Sequence, residues 1–248
     1  MVNRAGLNTL DAICSKRHGH IGPTERHTWR WVKRLLPKYC CHGAVIDIGC
    51  GNGRYLGRLY EMGFSEIWGI DASKEAIQLA KRVMSNLPVI LQHVVLPEQG
   101  ELPDRYFRGA ICLEVLEHIQ DDLKTLQTIH RLLIPGGVLL LSVPAGINYW
   151  TEHDIRGGHV RRYNVNEMRN KLLSAGFVNV RVFTWGFPLQ SAYYKFYLTK
   201  RRVSTGQQVM SPRLTHTILT EVFYQALYMD DLFTWTGRGT QLIACARA

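Results

Sequence analysis

The sequence predicts an α/β protein, a doubly wound sheet of seven strands with helices on both faces. Three observations lead there. From residue 44 onward, short β-branched runs alternate with helical stretches, the pattern of repeated βαβ units. The run Val45-Ile46-Asp47-Ile48 breaks into the alternating glycines Gly49, Gly51 and Gly53, whose missing Cβ lets backbone turn sharply and approach a ligand. Each of the first two strands also carries an acid at its carboxyl end, Asp47 and Asp71, where open α/β sheets hold their ligands.

The elements follow in order. Residues 1–22 lack periodicity and read as a flexible or lid-forming arm. Thr24 is the expected cap of a helix running to about residues 33–36, with Trp31, Val32, Leu35 and Leu36 on one side and Pro37 stopping it. Strand 44–48 is apolar enough for burial on both faces. Helix 53–62 follows from Tyr55, Leu56, Leu59 and Tyr60 at helical spacing. Strand 66–70, helix 73–84 capped by Ser73, strands near 88–94 and at 108–113, helix 121–133 and strand 137–143 complete the alternation. Asn164 begins a helix through Ala175 that Gly176 ends, and strands 178–184 and 240–246 close the sheet.

The interval between those last strands is too long for a structureless loop. A helical insertion at about 186–237 is therefore expected. Its stretch Pro188–Arg202 mixes aromatics with bases (Tyr193, Tyr194, Lys195, Phe196, Tyr197, Lys200, Arg201, Arg202). Leu214–Leu232 reads as a mostly apolar helix, suited to walling a substrate pocket, forming a dimer face or lying on a membrane. The domain division is an N-terminal arm and helix over 1–43 and one main domain over 44–248 that carries the insertion.

Composition narrows the class. At 248 residues and 46% apolar, one good core is affordable. No apolar run reaches membrane-span length, and the first residues lack the apolar centre of a signal peptide. The six cysteines form no CxxC pair and three sit in or beside core strands, so free thiols in a reduced, cytoplasmic protein are expected. The net charge of +10 is uneven: +6 over residues 1–43, −3 over 44–149, +8 over 150–213 and −1 over 214–248. Positive charge outside the ligand-binding half suits an anionic acceptor, nucleic acid or an acidic membrane surface; a plain solvated surface explains the same numbers.

The spacing of the glycine turn argues against a dinucleotide. Those sites use GxGxxG with the pyrophosphate on a helix N-terminus. Here Asp47-x-Gly49-x-Gly51-x-Gly53 puts an acid where phosphate would be repelled. Asp47 instead suits the ammonium of a methionine moiety, met directly or through water. Asp71 can accept from both hydroxyls of a ribose, with charge-assisted hydrogen bonds of about 1.5–3 kcal/mol each. Singly, each acid would more readily be a turn or cap residue.

At this point the chain resembles the class I S-adenosylmethionine-dependent methyltransferases over about residues 40–185 and again at the C-terminal strand. The stretch Ala110-Ile-Cys-Leu-Glu114-Val-Leu-Glu117-His118 is similar to that family's fourth strand and its exit, and Leu132-Leu-Ile-Pro135-Gly136-Gly137 through Val143-Pro144 to its helix end, turn and fifth strand. The resemblance implies a Rossmann-like mixed sheet. It implies S-adenosyl-L-methionine as cofactor, held by Asp47, Gly49, Cys50, Gly51, Gly53, Asp71, Ala72, Leu113 and, near the adenine, Glu98. Arg108 stands where the family's fourth strand usually begins with an acid.

Methyl transfer from a sulfonium needs an aligned acceptor and a route for its proton; alignment alone can supply about 7–11 kcal/mol. The strand exit offers more than cofactor binding requires: Glu114, Glu117 and His118, with His159 in Gly157-Gly158-His159-Val160-Arg161-Arg162-Tyr163. Two carboxylates and two imidazoles suit a divalent cation. The set resembles ubiquinone-biosynthesis O-methyltransferases and small-RNA 2′-O-methyltransferases, which implies Glu114, Glu117, His118 and His159 as ligands of Mg, Mn or Zn. With no metal, His118 or His159 is the candidate general base. His153 reads as a solvated loop residue. Arg161, Arg162 and Tyr163 have two readings, a surface cluster neutralising Glu167 and nearby acids, or an anion clamp. The leading expectation is O-methylation of a small-molecule or lipid-linked acceptor. The alternatives are an RNA methyltransferase and a non-catalytic S-adenosylmethionine-binding module.

Overall fold

A computed structural model describes residues 23–36, 43–98, 102–195, 221–222 and 224–248. Seven strands form one sheet: β1 (Ala44–Ile48), β2 (Glu66–Asp71), β3 (Val89–His93), β4 (Phe107–Leu113), β5 (Leu133–Pro144), β6 (Val178–Trp185) and β7 (Gln241–Arg247). Their order is β3-β2-β1-β4-β5-β7-β6. All neighbours run parallel except around β7, which is antiparallel to both β5 and β6. The mixed, doubly wound sheet of the sequence analysis is therefore the observed one. The winding reverses between β1 and β4, and the crevice beyond the carboxyl ends of those two strands is where such sheets bind ligands.

Strand alternation explains the two cores. Ile46 and Ile48 point to one face and pack with Ala110, Cys112, Leu126, Ile129, Met168 and Leu172. Val45 points to the other, with Leu59, Ile111 and Leu140. Around the sheet lie α1 (Pro23–Leu35), α2 (Leu56–Glu61), α3 (Lys74–Val83), α4 (Asp122–Leu132), α5 (Glu152–Gly157), α6 (Val165–Ser174) and α7 (Leu189–Tyr193). Ser73, Asp121 and Asn164 cap α3, α4 and α6 by accepting backbone N–H groups. The α1 helix buries Trp29, Val32 and Leu36 against the second core. Trp29 also stacks on Tyr55 at 5.3 Å between centroids.

Several expectations shift. The first helix begins at Pro23, whose missing N–H costs nothing in a first turn, so Thr24 does not cap it; the Thr24 hydroxyl instead accepts from Gln190 Nε2 at 3.2 Å. The helix expected over 53–62 is confined to Leu56–Glu61, because Gly51 and Gly53 have φ of +53° and +86° and prolong the turn. Strand β5 begins at Leu133 rather than 137, pairing Leu133 with Phe107 before a register shift. Of the apolar helix expected over 214–232, residues 214–220 lie outside the described residues; 221–222 and 224–226 are helical and Leu227–Thr236 is a 3₁₀ run. The arm 1–22, Pro37 and residues 196–202 of the aromatic-basic stretch also lie outside them. Cys50, Cys112 and Cys245 are free thiols; Cys14, Cys40 and Cys41 are not among the described residues. Among the described residues, no helix is long and apolar enough to cross a membrane.

Trp29 is 6% exposed and ties α1 to the sheet and to the start of α2. Replacing it with alanine is expected to lower the unfolding free energy by about 3–5 kcal/mol, measured by urea titration of the full chain.

Candidate functional site

The glycine turn builds one half of the site. Gly49 N and Cys50 N both donate to Ile70 O, at 2.8 and 2.9 Å, folding the turn back over β2. A Cβ on Gly49 would sit 2.3 Å from Val115 Cγ2, so only glycine lets the turn lie against the β4 exit. A Cβ on Gly51 would meet nothing within 4 Å: this backbone faces open space. Asp71 holds the far side, Oδ2 accepting from Gly51 N and Oδ1 from Ser73 N, both at 2.8 Å. Each oxygen keeps a further lone pair for a ligand hydroxyl. Asp47 is 1% exposed and its Oδ2 has no hydrogen-bond partner. Burial, with the Asp71 carboxylate adding to it, pushes its carboxyl well above the usual range. A cation brought close to the turn would favour the Asp47 carboxylate over the neutral acid.

The remaining expected cofactor contacts are spread round that turn. Cys50 is buried, and burial raises its thiol pKa, so it is inert lining. Gly53 packs toward Met84 and opens α2. Ala72 is exposed, its carbonyl 3.0 Å from His93 Nε2. Leu113 is buried at the end of β4. Glu98 is exposed on the turn after β3, and its side chain is not drawn into the site by any described contact.

The other half is the β4 exit. Glu114 has φ +57°, a left-handed conformation that costs a non-glycine residue energy and marks a constrained position. It is held there by Glu114 N donating to Ser142 O at 2.9 Å and by Ser142 Oγ donating to Glu114 Oε1 at 2.6 Å. Gln241, its amide oriented to satisfy both neighbours, also donates to Glu114 Oε1 (3.1 Å) and to Val143 O (3.2 Å). A 3₁₀ turn, Leu116–His118, follows and turns Glu117 inward.

Glu117 is fully buried, and neither carboxylate oxygen has a hydrogen-bond partner. Burial first, then the nearby Glu114 carboxylate, raise its pKa. Burial raises Glu114 too, but Glu114 opens onto the crevice and accepts two hydrogen bonds, so the push there is weaker. His118 Nε2 lies 3.9 Å from Glu117 Oε1. Burial and then His159 lower the His118 pKa, keeping the imidazole neutral.

His159 arrives from the far side of β5. Thr151 and Asp154 form a reciprocal capping box that starts α5, and Gly158, at φ +74°, ends it. Val160 N then donates to Glu117 O at 2.8 Å, clipping this segment onto the β4 exit. The His118 and His159 rings meet edge to face at 4.9 Å. Ligand atoms of Glu117, His118 and His159 lie within 4.8 Å of one another. Glu114 is not in that group, because Ser142 and Gln241 turn its carboxylate toward β5 and β7. The expected ligand tetrad is therefore a triad with a neighbouring acid.

Sequence reasoning missed the residue that orders the triad. Asp154 is fully buried and accepts from His159 Nδ1 at 2.9 Å, which leaves Nε2 for a ligand or proton. Burial works against its charge, but hydrogen bonds from Arg162, Thr151 N and His159 overcome that and hold its pKa low. The signal was present: Thr151-x-x-Asp154 is a capping-box pattern.

Arg162 corrects the anion-clamp reading. Its guanidinium is spent on Asp154 (Nε to Oδ1 2.8 Å, Nη2 to Oδ2 3.0 Å) and on Ala145 O. Arg161 pairs with Asp122 at 2.8 Å, and the buried Tyr163 hydroxyl donates to Asp122 Oδ2 at 2.8 Å. All three residues are structural, and their partners are Asp122 and Asp154 rather than Glu167. His153 is exposed, as expected.

Comparison with known proteins bears on the family and the fold. The family model for a methyltransferase domain matches residues 23–182. A ubiquinone biosynthesis O-methyltransferase of Alkalilimnicola ehrlichii is 31% identical over 100 residues, 40% of each chain. A tRNA U34 carboxymethyltransferase of Idiomarina loihiensis is 29% identical over 124 residues, 47% of this chain and 38% of the relative. The matches thus span less than half the length of these relatives. An S-adenosylmethionine-dependent methyltransferase structure from Mesorhizobium loti superposes with a TM-score of 0.60 at 18% identity, covering 92% of this chain and 100% of that one; at that identity it shows the fold.

The Asp154–Arg162 pair, with side chains 0% and 1% exposed, is the support of the triad. Arg162→Met leaves Asp154 buried without its counter-charge and is expected to cost about 3–5 kcal/mol of stability, read by chemical denaturation.

Proposed function

The chain belongs to the methyltransferase-domain family, and we propose that it uses S-adenosylmethionine to methylate an oxygen of a small or lipid-linked acceptor. One observation carries this reading: the open glycine turn between Asp47 and Asp71 adjoins a buried carboxylate and two imidazoles. Asp71 takes the ribose hydroxyls and Asp47 supplies negative potential for the methionine ammonium. The exposed Gly51 backbone lets the cofactor lie close. Glu114 and the triad then flank the place where an acceptor must meet the methyl group.

Oxygen is the preferred atom because a hydroxyl must lose its proton to become a good nucleophile. His118, neutral and part-exposed at the mouth of the cluster, can accept that proton. The named chemistry of the ubiquinone-biosynthesis relative supports the same atom. A divalent cation (Mg, Mn or Zn) fits Glu117, His118 and His159. Both Glu117 oxygens are buried and unpartnered, and Asp154 fixes the His159 tautomer. Such a cation, when bound, supplies Lewis acidity toward an acceptor oxygen.

RNA is the second reading, favoured by the net charge of +10 and by the tRNA-acting name of one relative. Binding to a mixed tRNA pool that weakens steeply between low and moderate salt would support it.

Two measurements test the main reading. Calorimetry should detect S-adenosylhomocysteine binding, weakened about 10–100-fold by Asp71→Asn; no heat with the wild-type chain overturns the cofactor assignment. Metal analysis after dialysis should find one divalent ion per chain, lost in Glu117→Gln and in His159→Ala. Methylation that is indifferent to chelator would remove the metal while leaving His118 as the base.

A further inference from the structure

We propose that a stripe of three apolar side chains on the 3₁₀ run, Met229, Leu232 and Trp235, docks the protein on an anionic lipid bilayer beside the mouth of the site. The proposal rests on the lipid-linked reading of the acceptor, which it extends to where that acceptor is met.

The stripe follows from 3₁₀ geometry. Three residues per turn make positions i, i+3 and i+6 eclipse, so Leu227–Thr236 presents three distinct rows. One row faces inward: Leu227 and Asp230 are fully buried, and Asp230 accepts from Leu189 N and Gln190 N at 2.9 and 3.0 Å. A second faces α1: Arg30 lies over the Tyr228 ring at 4.2 Å and pairs with Asp231. The third row is Met229, Leu232 and Trp235, exposed by 60, 69 and 82%. Large apolar side chains gathered on one exposed line mark an interaction surface. Methionine and leucine with a terminal tryptophan suit the boundary between acyl chains and headgroups, where tryptophan concentrates.

Charge favours a bilayer with anionic headgroups. The segment's acids are already engaged: Asp231 with Arg30 and His27, Asp230 with backbone amides, and Glu221 with Arg26. Two exposed cations lie nearby. Arg238 is exposed and lies 5.9 Å from the Phe187 ring, which packs edge-on against Phe233 of the run. Arg238 O accepts from the Tyr149 hydroxyl at 3.0 Å, and exposed Lys195 lies 5.9 Å from the Tyr149 ring. The same contacts lead inward, because Tyr194, next to Lys195, faces Arg162 and feels the Glu114 and Asp154 charges. An acceptor with its tail in a bilayer would thus present its head to Glu114 and His118 without leaving the lipid.

The test is co-sedimentation of the full chain with vesicles of phosphatidylglycerol and phosphatidylcholine, and with phosphatidylcholine alone. The wild type should sediment with the anionic vesicles and weaken in high salt. The triple variant Met229→Ser, Leu232→Ser, Trp235→Ser should lose at least about tenfold in partitioning while binding S-adenosylhomocysteine normally. The double variant Lys195→Gln, Arg238→Gln should keep neutral-vesicle binding and lose the anionic preference. Failure of the wild type to sediment with anionic vesicles overturns the proposal. So does a triple variant that sediments like wild type, or a solution dimer that the triple variant dissolves. Vesicle binding is read without methyl transfer, so its failure leaves the proposed reaction standing, and a chain that docks but gives no heat with S-adenosylhomocysteine sinks only the reaction.

Discussion

The constraint on which the candidate site turns is Glu117, a carboxyl buried with neither oxygen hydrogen-bonded. A carboxyl buried without a hydrogen-bond partner forfeits its hydration and gains nothing back from protein, and Glu117 leaves both oxygens in that state. Its neighbours hold it there. The left-handed Glu114 aims the chain into the 3₁₀ turn, and Val160 clips to the Glu117 carbonyl. A fold that merely needed a filled core would place leucine at this position. Burial favours the neutral acid at Glu117, and a cation at the proposed site would favour the carboxylate.

The α1 helix joins the two ends of the chain to that centre. Toward the cofactor turn, Glu25 pairs with Arg54 and Trp29 stacks on Tyr55. Toward the C-terminal segment, Arg26 pairs with Glu221 and covers Tyr224, and His27 stacks on Trp185 at 4.1 Å while contacting Asp231. One helix face therefore touches the wall of the cofactor turn and the 3₁₀ run outside it.

How much of this was legible in the sequence depends on the range of the forces involved. The strands, the glycine turn and the helix caps at Ser73 and Asn164 are local in origin, written in β-branching, positive φ and short polar side chains, and they were readable. The convergence of Glu117, His118 and His159 was readable only as far as residue types allow. What the residues could not show was that Ser142 and Gln241, on β5 and β7, divert Glu114 from that group. The same holds for Arg162: two adjacent arginines before a helix look like a surface feature until Asp154 is found buried beneath one of them. Of the mostly apolar helix expected over 214–232, residues 221–222 and 224–226 are helical and the chain from Leu227 winds with three residues per turn, a pitch that composition does not specify.

The charge distribution now has a physical division of labour. The half that holds the glycine turn is net negative in formal charge and gathers Asp47, Asp71, Glu114 and Glu117 near one crevice; burial pushes Asp47, Glu114 and Glu117 toward their neutral forms, and an approaching sulfonium and ammonium favour the charged ones. The reaction removes that positive charge: once the methyl group leaves, the sulfur is neutral and the same acids hold the product less strongly by their field alone. Outside that half, residues 1–43 and 150–213 are net positive at +6 and +8, while 214–248 is −1. Cations that hold an anionic acceptor act on a ligand of the other sign, so strengthening that hold does not by itself strengthen the hold on spent cofactor.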